Sequence, residues 1–304
     1  MVVDRESEPD WRSKNITDLA FDLEETLIRF APEIRLHPDD PYRPSSVDWY
    51  LERTSVKRWR GLFRRDEGVL SEGQTTMDWL GSLSRFEDQS VIYLSILDGP
   101  DKNETRRGFQ PISNQVSAPC YINARSAPDD STASDLQYWF FYPFNGSGGR
   151  HIPHEGDWEH VTMRVTNTES PVLIAVYASA HGLKNGGWWP CEGGELLLNQ
   201  LNNPVIYSAL GSHASYISKG KHSQRWPKPV DQTSDLGPIW QTSQDLVLVA
   251  VNGQTLDIDK KTYAQFSYRG RWGPIRKLSW PFRATGPVGP AQQKPWISEP
   301  PLSV

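Results

Sequence analysis

The sequence predicts a mainly β fold: an antiparallel β-sandwich with a helical N-terminal segment and long loops. Three observations carry that expectation. Short stretches rich in Val, Ile, Tyr and Trp recur along the chain, and most are bounded by Gly, Pro, Asn or Asp. The 24 Pro and 23 Gly supply turns, and 13 Trp add the aromatics that pack well on a pleated surface. The second half carries no long helical periodicity and few strand–helix–strand alternations, which disfavours a parallel sheet with crossover helices.

The elements follow in order. A helix is expected from Thr17 to Phe30, capped by Thr17 or Asp18. Leu19, Leu23, Leu27 and Phe30 form one apolar stripe, and Pro32 ends it. Ser45 with Asp48 has the form of a capping box for a short helix carrying Val47, Trp49 and Leu51. His37 and Asp39 lie on the loop just before it, after the strand-like Glu33–Leu36. The run 56–65, VKRWRGLFRR, interleaves bases with Trp59, Leu62 and Phe63. It reads as a solvated face, or as a membrane-surface or phosphate patch. Strands are expected at Ser90–Leu97, Leu136–Tyr142, Val161–Val165, Pro171–Ser179, Val205–Leu210 and Leu246–Val251. The organisation expected is a helical segment over 1–30, a β-sandwich domain over 31–285 and a Pro-rich extended tail over 286–304 packed on the domain.

Composition narrows the function classes. With 37% hydrophobic and 23% charged residues, a globular core is expected. A net charge of −5 argues against a protein held to nucleic acid by backbone phosphates. Cys120 and Cys191 form no C-x-x-C motif, so a zinc ribbon is excluded and two free thiols are the simplest reading. The first residues are polar and acidic, and no run of 18 apolar residues occurs. A cytoplasmic or peripheral-membrane location is therefore expected, with no signal peptide and no transmembrane segment.

The densest chemistry lies in HIPHEGDWEHVTMRV at 151–165. From Asp157 the pattern reads as a strand, with Asp157, Glu159, Val161, Met163 and Val165 on one side and Trp158, His160, Thr162 and Arg164 on the other. Two carboxylates at i and i+2 on one face sit about 6.5–7 Å apart at their Cα atoms, close enough for their oxygens to converge on one ion. His154, on the incoming loop, can bring a ring nitrogen to the same point. One nitrogen with several oxygens suits Mg²⁺, Ca²⁺, Mn²⁺ or Zn²⁺. The plain alternative is a polar strand edge whose acids face water. His181 and His213 each follow a strand end, where loops of a sandwich gather at one rim. No G-x-S-x-G elbow and no glycine-rich loop opening a helix is present, so triad hydrolase and nucleotide readings lack support.

LHPDDPYRPSSVDWYL, YWFFYPFNG, HEGDWEHVTMRV, PVIYSALGSHASY, YRGRWGP and GPVGP occur here in one order. In that order they resemble the vacuolar protein sorting 62 family, from about Ala31 to Trp296. H-x-x-D-W-E also resembles the heptapeptide core of the necrosis-inducing protein toxins. Those are β-sandwiches in which the His, Asp and Glu, with an upstream Asp, hold a divalent metal and help bind a sphingolipid headgroup. Carried over, the resemblance implies His154, Asp157 and Glu159 as ligands. The toxins' middle His is Gly156 here, and in place of the upstream Asp the nearest candidate is Asn145, a neutral carbonyl.

Two function classes follow. One is a non-catalytic binding protein in which a divalent metal at a His/Asp/Glu rim organises recognition of a lipid or glycan headgroup. The other is a metal-dependent hydrolase, lyase or cyclase on a small, partly apolar metabolite, with His213, His181 or Glu155 moving a proton.

Overall fold

In the computed structural model the described residues are 19–302, apart from 62–63, 86–87, 98, 100, 147–152, 181–185, 195, 224–229, 253, 256–263 and 276–284. In chain order the strands are β1 (Glu33–Arg35), β2 (Ser55–Arg58), β3 (Glu67–Leu70), β4 (Ile92–Ser95), β5 (Gln115–Val116) and β6 (Cys120–Ala127). Then come β7 (Asp130–Asn145), β8 (His154–Thr166), β9 (Leu173–Ala178), β10 (Gly187–Pro190), β11 (Val205–Ser208) and β12 (Ser215–Tyr216). The last are β13 (Gly220–Ser223), β14 (Val230–Thr233), β15 (Ile239–Gln241), β16 (Leu246–Val251) and β17 (Gln254–Thr255).

The chain is mainly β. One sheet runs β12-β11-β1-β15-β5 and a larger one β10-β9-β8-β7-β6-β16-β17, with β13-β14 and β3-β2-β4 as smaller sheets. Most pairings are antiparallel. Those of β1 with β11, β15 with β5 and β16 with β6 are parallel, so both main sheets are mixed.

The long β7–β8 pair is the spine. Its register sets Tyr138 against Val161, Phe140 against Glu159 and Tyr142 against Asp157, and opposed residues share a face. That face meets the five-stranded sheet: the Phe140 ring lies 5.2 Å from Trp240 of β15, and Val161, Met163 and Val165 are buried there. The other face is covered as well. Phe141 and Trp158 pack on Trp272, and the Trp139 ring lies 5.9 Å from Trp296. Burial on both faces explains why 138–142 reads as a continuous aromatic run rather than an alternation.

The chain's last described segment lies against this second face. The Glu299 Oε1 atom accepts from His160 Nε2 at 2.9 Å, Thr162 Oγ1 at 2.8 Å and Gln137 Nε2 at 3.2 Å. Arg125 Nη1 donates to the Trp296 carbonyl at 2.7 Å. Residues 294–297 form a helical turn, and Trp296 and Glu299 are buried.

Helix starts differ in detail from expectation. Helix α1 spans Leu23–Phe30, and its cap is Asp22, whose Oδ1 accepts from Glu25 N; residues 17 and 18 lie outside the described residues. Helix α2 spans Val47–Leu51 and is capped by Ser46 rather than Ser45, because Ser46 Oγ is the group that reaches Trp49 N. The residue three after Ser46 is Trp49, so the observed cap lacks the acid that made Ser45 and Asp48 look like a capping box. The basic run falls on β2 and the turn after it, where Arg60 pairs with Glu67 at 3.2 Å; Leu62 and Phe63 lie outside the described residues. Cys120 and Cys191 are free thiols. Among the described residues no helix is long and apolar enough to cross a membrane.

Candidate functional site

Several chain segments meet at one end of the sandwich. β1 and β11 run parallel, and the loops leaving them, 36–40 and 209–213, lie together: Gly211 N donates to Asp40 Oδ2 at 2.7 Å. The end of β7 and the start of β8 arrive at the same place, because Asp157 Oδ2 accepts from His213 Nδ1 at 3.0 Å.

Gly156 shapes the start of β8. Its φ of +62° is the left-handed region, and a Cβ there would meet the Trp272 carbonyl oxygen at 2.4 Å. A left-handed residue inside a strand breaks the alternation of side chains. His154 and Asp157, three apart and on opposite faces of a regular strand, therefore converge: Nε2 and Oδ1 are 4.0 Å apart. By the same inversion Glu155 leaves the site. Its Oε2 accepts from Ile96 N at 2.9 Å on the Trp158 side, so this candidate proton carrier is a tie to the end of β4.

Each remaining candidate among the described residues has a definite place in the geometry. His154 Nδ1 lies 2.8 Å from the Gly156 carbonyl oxygen, which only accepts. Nδ1 therefore carries a hydrogen, and Nε2 is turned toward Asp157. Asn145 gives its amide to Asp157 Oδ2 at 2.9 Å and to the Ser212 carbonyl at 3.3 Å, so it positions the carboxylate through its nitrogen. His213 is buried, adopts φ +56° and stacks on Tyr142, with ring centroids 3.9 Å apart. Glu159 accepts from Ser179 Oγ at 3.1 Å. Burial and then the Asp157 carboxylate push its carboxyl well above the usual carboxylate range, against the Ser179 hydrogen bond. His181 lies outside the described residues.

Asp40 is the residue that sequence reasoning passes over. Its Oδ1 accepts from Tyr42 N, turning the chain around Pro41, and its Oδ2 lies 3.5 Å from His213 Nε2. That nitrogen has no hydrogen-bond partner among the described residues. The only signal in the sequence is a pair of aspartates ahead of a proline. Asp39, its neighbour, points out with a side chain 82% exposed, and His37 turns its Nδ1 back to Asp39 N. Among the described residues no three of His, Cys, Asp and Glu are gathered into a metal-holding group.

The model of the family described as vacuolar protein sorting-associated protein 62 matches residues 20–277. The chain belongs to that family. Its curated relatives in Saccharomyces cerevisiae include vacuolar protein sorting-associated protein 62, at 27% identity over 87% of this chain and 64% of its own length. The vacuolar protein sorting-associated protein TDA6 is 24% identical over 81% of this chain and 59% of its own length. The chain thus spans less than two thirds of either relative. Similar solved structures include NLPPya in complex with glucosamine, at 14% identity and a TM-score of 0.36, covering 80% of this chain and 79% of that one. A non-toxic HaNLP3 protein is 12% identical with a TM-score of 0.37, covering 79% of each chain.

Proposed function

We propose that this end of the sandwich recognises a lipid or glycan headgroup through one divalent cation held between His154 and Asp157, with Glu159 alongside. The observation that supports this reading is the pair His154 Nε2 and Asp157 Oδ1. Neither has a hydrogen-bond partner among the described residues, and they face each other at 4.0 Å. Two lone-pair donors at that separation are too far apart to share a proton well. They fit two ligands of one ion, each about 2.0–2.6 Å from it. The His154 ring is oriented as a ligating imidazole is, with its other nitrogen bound to a backbone carbonyl. A cation also relieves the repulsion between Asp157 and Glu159.

One imidazole and two carboxylates leave coordination positions for water or for oxygens of a phosphate or a vicinal diol, which is the chemistry of headgroup recognition. The enzyme reading needs a proton carrier at the rim. Of the candidates among the described residues, His213 is buried between Tyr142 and two carboxylates and Glu155 is turned to β4, and these favour binding over catalysis. A cytoplasmic or peripheral-membrane location goes with it. So does a part in vacuolar protein sorting, the process in the relatives' names.

Thermal melting tests the reading. A ligand bound only by the folded state adds RT ln(1 + [L]/Kd), about 2.7 kcal/mol at a hundredfold excess over Kd. Chelator should lower the melting temperature, and Ca²⁺, Mg²⁺, Mn²⁺ or Zn²⁺ should restore it. Asp157→Asn should abolish the response, and soluble phosphorylcholine or glucosamine should add to it in the ion-loaded protein. Indifference of the wild type to chelator, with negligible metal content, overturns the reading.

A further inference from the structure

The face of the large sheet opposite the one that carries Glu159 has a polar row across its middle. Register aligns Asn123 of β6 with Gln137 of β7, Gln137 with Thr162 of β8, Thr162 with Tyr177 of β9, and Tyr177 with Trp188 of β10. Residues paired across strands share a face, so these five side chains stand in one line over five strands. A sheet face covered for stability alone favours apolar side chains at such positions.

Residues 293–302 lie along that line, and four of the five side chains hold them. Asn123 Nδ2 donates to the Trp296 carbonyl at 3.2 Å, Gln137 Nε2 to the Pro295 carbonyl at 2.5 Å and Trp188 Nε1 to the Pro300 carbonyl at 2.6 Å. Thr162 Oγ1 donates to the Glu299 carboxylate. From the neighbouring row Arg125 Nη1 donates to the Pro295 carbonyl at 3.1 Å. The fifth member, Tyr177, has a buried hydroxyl with no hydrogen-bond partner among the described residues, and the same is true of Glu299 Oε2.

The segment is held as a peptide ligand is. Two anchors stand three residues apart: Trp296, buried with its ring 5.5 Å from Phe266, and Glu299, bonded to His160 and Thr162. The carbonyls give affinity and the two side-chain pockets give selectivity. Its backbone bonds close on themselves, from Gln293 N to the Pro290 carbonyl, Trp296 N to Gln293 and Ser298 N to Lys294. Among the described residues it joins no strand ladder, so its departure breaks no sheet pairing. Pro295, Pro300 and Pro301 limit the entropy lost when it docks. The side chains it would uncover, Asn, Gln, Thr, Tyr and Arg, are groups that water satisfies equally well. That is the surface of a groove rather than of a core.

We propose that this face is a peptide-binding groove, filled in the structure by residues 293–302 as a ligand in cis. It takes from a partner protein a segment of the same chemistry: a Trp with an acidic residue three positions on, set among prolines. The unpaired Tyr177 hydroxyl and Glu299 Oε2 leave one hydrogen bond for a better-fitting segment to make. The groove shares no residue with the His154–Asp157 site and stands whether or not an ion binds there.

The test is fluorescence anisotropy of a labelled peptide, QQKPWISEPPL (residues 292–302), with the full chain as wild type and as W296A/E299A. The double variant loosens its own segment and should bind the peptide. Wild type, whose segment competes at an effective concentration on the order of millimolar, should bind at least about tenfold more weakly. Placing the W296A change in the peptide should cost about thirtyfold, as for a buried aromatic anchor, and E299Q about tenfold. Native-state hydrogen exchange of the wild type is the second measurement, and it decides if the double variant does not fold. The Trp296 and Ser298 amides should open together, at a lower free energy than those of β7 and β8. A folded double variant that ignores the peptide, or binds all three peptides alike, overturns the proposal. So does exchange of Trp296 and Ser298 only along with β7 and β8, which would make the segment part of the core.

Discussion

Asp157 Oδ2 lies 3.0 Å from His213 Nδ1, so the carboxylate at the head of β8 is anchored to a loop 56 residues further along. The His213 ring also lies flat on Tyr142 and leaves almost no exposed surface. His213→Ala should therefore open a cavity and remove one of two donors to a buried carboxylate, at a cost of about 2–4 kcal/mol. Urea unfolding checks this, and a change within about 0.5 kcal/mol would reduce His213 to a bystander.

Glu159→Gln should act in the opposite direction when divalent ions are absent. The folded-state pKa of Glu159 is raised by burial and by Asp157. Its contribution to stability is thus complete below the unfolded value, about 4.3, and is lost as pH rises toward the folded value. The amide cannot ionise, so the chelated variant should be more stable than wild type at neutral pH, by roughly 1 kcal/mol. Added Ca²⁺ should narrow or reverse the gap. A chelated variant less stable than wild type would contradict the assignment.

Glu299 has the reverse sign. Burial alone would raise its carboxyl, but His160, Thr162 and Arg125 outweigh burial and hold it below the usual range. Its contribution is therefore present above about pH 4.3 and is lost as pH falls through the lower folded value. Glu299→Gln should cost about 1–3 kcal/mol at neutral pH, and the two melting curves should converge in acid. Parallel curves down to about pH 3 would show that the hydrogen bonds, rather than the charge, are what matters.

Gly156→Ala joins two penalties, a left-handed backbone and a Cβ aimed at the Trp272 carbonyl. A loss of about 1–3 kcal/mol is expected, with a weakened response to divalent ions, because His154 would no longer turn toward Asp157. Melting with and without Ca²⁺ reads both effects at once.

Met163 is fully buried on the face that meets the five-stranded sheet. Met163→Asp places an unpaired carboxylate there, at a cost of several kcal/mol, and should leave no folded domain by circular dichroism. A soluble variant with an unchanged melting temperature would be incompatible with this packing.

Alternation along Asp157–Val165 was legible from local chemistry, because a strand's two-residue period appears directly in side-chain polarity. The strand Leu246–Val251 was legible to the residue for a similar reason, as a short β-branched run. The strand Cys120–Ala127 was not, because a strand buried on both faces shows no period. Mixed pairing was equally hidden, since direction within a sheet is settled by distant partners.

At the site, the sequence by itself determined that His154, Asp157 and Glu159 lie close together, for they are neighbours along one segment. Only the tertiary structure decided the rest. Which way Glu155 and His154 point depends on the sign of one glycine's φ, and that glycine is packed against Trp272, more than a hundred residues away in the chain, with no room for a side chain. Asp40 and His213 reach Asp157 only because two parallel strands end side by side. Local periodicity encodes faces, whereas convergence is a property of long-range pairing whose energetics no single segment contains.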